Sequence, residues 1–416
     1  MAKPTKPTKK CNLMVLGASG GVANAFLHHA GSYRKLFDKL ILVDRHNKVL
    51  RDKFIDHKAL DYTFVHKNIE IPSKEHEYLA LLKKFHIDIV LDITDMNSTE
   101  ILEATNKAGV SYVNTAMNDE KKTVKELIFS IYPRKGLLNN APHILCTGMN
   151  PGIVNMWVRY GIEKFGIPKS LVHFEYDTST PIKEWRSMMT WSIHEFLVES
   201  IRDPSGIALG RRKVKDLYPN GLENREDMTP ILKPIIKLSK YPIGLTVLHE
   251  ENLSVSYKYD IPSKFIYAVN QHTMNHLIRI YEKKKNVLRK DLEIGDNTKN
   301  ALDGSDTIGV YLDYPDKRVY FLNSITNGAI IGTNATYTQV AIGIFSALFA
   351  LIYDKLPKGV HFVEDLFDSH FKYFMFDNMR VSEFVFKKGK NGLSMSKFIP
   401  AISMKRMNRF EHLYII

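Results

Sequence analysis

The sequence predicts an α/β protein: a doubly wound parallel sheet joined to a second, α+β domain whose sheet is mainly antiparallel. Three observations predict it. The glycine-rich segment Gly17-Ala18-Ser19-Gly20-Gly21-Val22-Ala23 follows directly on the short apolar run Leu13–Leu16. Further apolar runs at Leu40–Val43, Ile87–Ile93, Ser111–Thr115 and His143–Thr147 alternate with helix-compatible segments such as Asn24–His29 and Ser98–Ala108. Apolar strands separated by helices are the pattern of a parallel sheet covered on both faces. From Asn150 onward the texture changes to short β-like runs (Leu171–Glu175, Leu253–Tyr259, Ile266–Val269, Gly309–Leu312, Val319–Leu322) between longer polar stretches.

Taken in order, residues 1–10 (MAKPTKPTKK) read as a basic flexible tail, and residues 11–150 as a Rossmann-type nucleotide-binding domain. Strand, glycine turn, helix, strand and acid follow one another as in a dinucleotide-binding βαβ unit. Glycines let the backbone approach a pyrophosphate, whose charge is met by the N–H groups and dipole of the helix start. Gly17, Gly20 and Gly21, with Ser19 and Val22, are the candidate positions, in GxxGxxA rather than GxGxxG spacing. Asp44 closes the second strand, where a carboxylate accepts ribose hydroxyls and repels a 2′-phosphate. That favours NAD over NADP, with Arg45 beside it arguing the other way. Asp95 and Thr115 fall at the carboxyl ends of later strands, where open α/β sheets bind ligands. Residues 151–330 read as the second, α+β domain. A helix is predicted from Ala335, capped by Asn334 or Thr333, to Tyr353; with the rest of 331–416 it is expected to complete the first domain.

Composition excludes several classes. The chain has 416 residues with 44% hydrophobic, 11% aromatic and 25% charged, ordinary values for a globular protein. Lys+Arg 58 against Asp+Glu 45 gives +13, but the charge is scattered beyond the tail, so no nucleic-acid partner is expected. Cys11 and Cys146 lie far apart and in no ligand spacing, so neither a disulfide framework nor a metal site is read. The longest apolar run, Val340–Tyr353, falls short of the roughly 20 residues of a membrane span and reads as a core helix. No secretory signal is visible, and a cytoplasmic protein is expected.

Several separated segments together carry a family resemblance. Gly148-Met149-Asn150-Pro151-Gly152 forms a GxNPG turn, and Phe174-Glu175-Tyr176-Asp177-Thr178 an E-x-D-T strand. Thr190-Trp191-Ser192 with Phe196 and Glu199, Leu248-His249-Glu250-Glu251 with Leu253-Ser254, Gly304–Val310, and Asn334-Ala335-Thr336 with Gln339-Val340 follow in order. In these segments the chain resembles the bacterial homospermidine synthases, within the wider saccharopine dehydrogenase-like group. It departs from them in the glycine spacing, in the stretch Gly206–Arg212 and in its shorter length.

The resemblance implies a homodimer, with residues 151–330 as its substrate-binding and dimerisation domain, that retains NAD and acts on a diamine or polyamine. Putrescine would be oxidised to an imine, ammonia lost, a second amine condensed and the new imine reduced to homospermidine. It places Trp191, Glu199, Glu175, His249 and Asn150 as catalytic, Glu251 and Asp95 as substrate-binding, and Asn150 and Pro151 beside the cofactor. The residue types suit that chemistry. Buried ammonium groups need carboxylates, an indole face attracts a cation, and histidine exchanges protons near neutrality. Glu250 reads as a solvated face. His272 and His276 read as structural, and His194-Glu195 is not an HExxH motif because position 198 is valine. Two other readings stay open. One is a reductive condensation of an amine with an oxo acid or aldehyde, as in saccharopine or carboxynorspermidine dehydrogenases, with Arg186, Arg211 or Arg212 holding the carboxylate. The other is a non-catalytic nucleotide-binding or basic scaffold protein.

Overall fold

The computed structural model describes residues 10–298 and 300–404. All but the last residue of the basic tail lies outside them. The chain divides into two compact units, one built from residues up to Met156 with Tyr337–Asn378, the other from Trp157–Thr336 with Met379–Ser403.

The first unit is a seven-stranded parallel sheet. Six strands follow in chain order: β1 (Cys11–Leu16), β2 (Phe37–Asp44), β3 (Thr63–His66), β4 (Ile89–Asp92), β5 (Ser111–Asn114) and β6 (Pro142–Leu145). With the Gly359–Phe362 strand outermost, their spatial order is Gly359–Phe362, β6, β5, β4, β1, β2, β3. The order reverses between β1 and β4, the topological switch point of a doubly wound sheet. Helix α1 (Gly21–Ala30) follows the glycine turn. The apolar helix Ala335–Tyr353 has the predicted bounds, and the part from Tyr337 onward packs into this unit. Phe345 meets Phe26 and Tyr33 at 4.8 Å between centroids, and Phe349 meets Phe374 at 4.3 Å. The helix is long and apolar enough to cross a membrane by composition, yet 83% of its apolar window is buried inside the protein.

The second unit is built on a mixed, mainly antiparallel ten-stranded sheet. At its centre β7 (Ser170–Asp177) pairs parallel with Ser263–Ala268 and antiparallel with Ser305–Asp313. Pairing then continues through Lys317–Thr326 and Ser382–Gly389 to Gly392–Ile399. Alternation along β7 sorts its side chains. Val172, Phe174 and Tyr176 join an apolar cluster with Ile266 and Tyr320, while His173, Glu175 and Asp177 point to the opposite face. That face also carries Phe265 and Tyr267 from the neighbouring strand.

Two expectations are corrected. The segment 331–416 does not complete the first unit as a whole, because Ser382–Gly389 and Gly392–Ile399 add to the second sheet. Leu253–Tyr259 is not a strand but the body of a helix, Glu250–Tyr259, in which Glu250 through Ser256 are all buried. A helix enclosed on every side shows no amphipathic period, so alternating Leu253-Ser254-Val255-Ser256 imitates a strand.

Candidate active site

In the first unit the candidate cofactor residues gather at the carboxyl ends of the strands. Gly17 turns with φ +81°, a conformation that disfavours a side chain, and a Cβ there would sit 2.7 Å from the Ile93 carbonyl oxygen. Its N–H donates to Val43 O at 3.1 Å, which ties the turn to β2. Gly20 is exposed and caps α1 without any side-chain bond to its first turn. Asp44 at the end of β2 accepts from Ser19 N at 2.8 Å and from His46 N at 2.7 Å. The Ser19 hydroxyl donates to His46 O at 2.8 Å, so this side chain braces the loop. Val22 lies in the first turn of α1.

The remaining positions follow the same edge. Asp95 is exposed just after β4. Its loop is held by a residue that sequence reasoning missed: Asp92, buried, accepts from the Thr94 hydroxyl at 2.7 Å and the Tyr112 hydroxyl at 2.7 Å. Burial pushes its carboxyl up to about 6. Beyond β5, Thr115 O accepts from Gly148 N at 3.2 Å. This bond anchors the Gly148–Gly152 turn that carries Asn150 and Pro151. Gly152 has φ +133°, and a Cβ there would lie 2.3 Å from Gly148 O, so the turn requires glycine. A side-chain-free turn, an uncapped helix start, and an acid at the end of β2 suit a dinucleotide.

In the second unit the structure brings Trp191, Glu175 and Glu199 around Tyr267, and Glu199 also meets His249, which is bonded to Glu251; Asn150 belongs to the first unit. This tyrosine is buried and lies opposite Glu175 in the register between its strand and β7. The Trp191 ring meets it edge-on at 5.7 Å and Phe196 at 6.4 Å. Burial, then the charges of Glu199 and Glu175, raise its hydroxyl well above the usual phenol range. Sequence gave no signal for Tyr267, which lies inside an apolar run. Glu199 sits on a π-helical turn, Val198–Arg202, a local widening often found at functional sites.

His249 is the centre of charge. Its Nε2 lies 3.4 Å from Glu199 Oε1, and its Nδ1 lies 3.2 Å from Glu250 Oε2 and hydrogen-bonds Glu251. Burial by itself lowers its pKa, but Glu251, Glu250 and Glu199 together outweigh burial and hold it well above the ordinary value. Glu251 is shifted the other way: burial disfavours its charge, and His249 lowers it below the usual carboxyl range. Glu250 is thus no solvated residue; it is 4% exposed and part of this cluster. His173, also missed, is fully buried, with no hydrogen-bond partner on either ring nitrogen among the described residues. Burial lowers its pKa to about 4, so it stays neutral.

The His249, Glu250 and Glu251 ligand atoms lie within 4.8 Å of one another, a grouping that could also hold a metal ion. The cluster is formally one imidazolium against three carboxylates, with Glu175 nearby, and the surplus is negative.

The arginines that could hold a substrate carboxylate are elsewhere. Arg186 is exposed and paired with Glu184 and Glu293. Arg211 and Arg212 are exposed beside Tyr257. Arg211 N donates to Asp260, at the other end of the Glu250–Tyr259 helix from Glu251. Ten residues of helix separate those ends by about 15 Å. His272 and His276 meet the exposed Trp185 ring.

Comparisons with known proteins agree with the fold. Residues 13–132 match the family model described as the saccharopine dehydrogenase NADP binding domain. The first unit therefore carries a nucleotide-binding domain of that type. Comparison with curated proteins finds no match. Among solved structures, the homospermidine synthase from Legionella pneumophila in complex with NAD is similar over 88% of this chain and 89% of its own, with a TM-score of 0.69 and 16% identity. At that identity the likeness is one of fold. An amine dehydrogenase from Mycobacterium smegmatis is aligned over 86% of this chain and 96% of its own, with a TM-score of 0.41 and 11% identity.

Proposed function

We propose that the chain is an NAD-dependent enzyme of amine transfer, a homospermidine synthase-like protein acting on putrescine. The observation that carries this reading is the cluster of partly buried Glu199 and buried Glu250 and Glu251 around His249, with Glu175 and Trp191 beside Tyr267. Carboxylates in excess, with no arginine paired to them among the described residues, select a diamine over an oxo acid.

Gly17, Gly20, Gly21 and the start of α1 would hold the pyrophosphate, and Asp44 the adenosine ribose, with Ser19 and Val22 completing the turn. Asp95, Thr115, Asn150 and Pro151 would line the nicotinamide end. When bound, the nicotinamide takes up and returns a hydride. Glu175, Glu199 and Glu251 bind and orient the ammonium groups of the diamine. Trp191 steadies a cationic carbon or nitrogen by about 0.5–2 kcal/mol. His249 keeps both Nδ1–H and Nε2–H, so it holds the carboxylates in place and is a proton donor to departing ammonia. The balance is two putrescines to one homospermidine and one ammonia, with no net oxidation.

The test is mass spectrometry of products after incubating purified protein with putrescine and catalytic NAD, without reductant. Homospermidine with ammonia is the expected result. Turnover that requires an oxo acid or aldehyde and stoichiometric NAD(P)H would overturn it in favour of a reductive condensation.

A further inference from the structure

Four of the sequence segments that resemble the synthases contain residues for which the reaction above has no use: Asp177, Thr190, Asp306 and Thr336. The structure brings them together. Asp177 on β7 and Asp306 on Ser305–Asp313 are directly opposite each other in the antiparallel register. All four residues are buried. The Thr190 hydroxyl donates to Asp177 Oδ2 at 2.6 Å, and the Thr336 hydroxyl lies 2.6 Å from Asp306 Oδ2 and 2.9 Å from Thr190 Oγ1. Ser179 N donates to Asp177 Oδ1 at 2.8 Å.

Counting hydrogens decides the state of this chain. Three oxygen–oxygen contacts join the two carboxyls through the two hydroxyls, and each hydroxyl carries one hydrogen. Two hydrogens cannot fill three bonds. With both aspartates ionised, Thr190 would donate to Asp177 and Thr336 to Asp306, and two lone pairs would face each other across 2.9 Å. A third hydrogen, on Asp306, completes the run from Asp306 through Thr336 and Thr190 to an ionised Asp177. We propose that Asp177, Thr190, Thr336 and Asp306 form a closed hydrogen-bond chain that retains one proton at neutral pH, and that this chain is a positioning device for Trp191.

The electrostatics agree. Burial raises the Asp177 carboxyl; burial, then the charge of Asp177 opposite, raises that of Asp306 well above the usual range. Facing Asp306 are Asp177 from β7, Ile325 from Lys317–Thr326 and Thr336 from the Ala335–Tyr353 helix. Two like charges in one buried site do not both ionise. The link to Trp191 is covalent, since Thr190 precedes it. Thr190 is pinned twice, by its hydroxyl in the chain and by its carbonyl, which accepts from Asn334 Nδ2 at 2.8 Å. The indole has little freedom left before it meets Phe196 and Tyr267.

Two measurements test this. The first is the infrared difference spectrum of the wild-type protein minus Asp306→Asn at neutral pH. The amide of the variant donates to Thr336 as the acid does, so the chain stays intact and the fold is kept. A protonated-carboxyl C=O band that the variant lacks is expected; no such band would overturn the retained proton. The second compares Thr336→Val with Thr336→Ser. The valine variant is expected to shift the Trp191 emission, isolated by subtracting a Trp191→Phe background, and to lower kcat on the order of ten-fold with KM little changed. The serine variant restores both. Equal behaviour of the two variants would overturn the positioning role. Only the kcat arm rests on the amine-transfer reading; the band and the emission stand or fall without it, so the two failures are distinguishable.

Discussion

At the scale of single residues, the assembly depends on one positive side chain placed among three acids. His249 is raised well above its unfolded value. A group shifted in that direction contributes stability that is fully present below its unfolded pKa and is lost as pH rises through the folded value. Glu251, shifted down, contributes stability that is lost as pH falls through its folded value. His249→Gln leaves buried carboxylates without their cation, and should cost about 3–5 kcal/mol at neutral pH. Denaturant unfolding at several pH values checks this: the difference from wild type should shrink as pH rises through the folded pKa of His249. Glu175, Glu199, His249 and Glu251 were legible in the sequence because each sits in a motif with several fixed residues. Tyr267, His173 and Asp92 were not, since each stands inside an apolar run and acts through neighbours brought close only by the fold.

Among the elements, the parallel strands and the Ala335–Tyr353 helix were legible from their apolar runs, because burial on all sides leaves a composition signal. The same burial hid the Glu250–Tyr259 helix. The strands Ser382–Gly389 and Gly392–Ile399 were not assigned, for nothing local says which sheet a hairpin will join. Close approach between elements is the other thing composition does not display. Gly343, midway along the long helix, would place a Cβ 2.0 Å from Thr147 O and 2.6 Å from Gly148 O. This glycine lets the helix lie against the turn that carries Asn150. Gly343→Ala meets backbone rather than a movable side chain, and should destabilise by about 3 kcal/mol, read as a lower denaturant midpoint with unchanged m-value.

For the molecule as a whole, the chain leaves the first unit at Met156 and returns at Tyr337, and these two crossings lie inside helices, Ile153–Phe165 and Ala335–Tyr353; it leaves again after Asn378, where the helix His370–Asn378 ends. Unfolding either unit therefore breaks a helix of the other, and calorimetry should show one transition with equal calorimetric and van't Hoff enthalpies. Two resolved transitions would mean that the helices part at the crossings. The domain limits read from sequence were drawn at composition changes, whereas two of the unit limits fall within continuous helices that carry no such mark.

Two edges of the second sheet, Lys213–Tyr218 and Gly392–Ile399, are mostly exposed. Leu217, Tyr218, Met395 and Phe398 show apolar surface there. A bare rim of this kind recruits strands from other copies. Arg211, Arg212, Lys213 and Lys215 lie at or beside one rim and Lys397 on the other, so part of the +13 surplus sits where two approaching sheets would meet. In colloidal terms, like charges at these rims would repel one another as two copies approached.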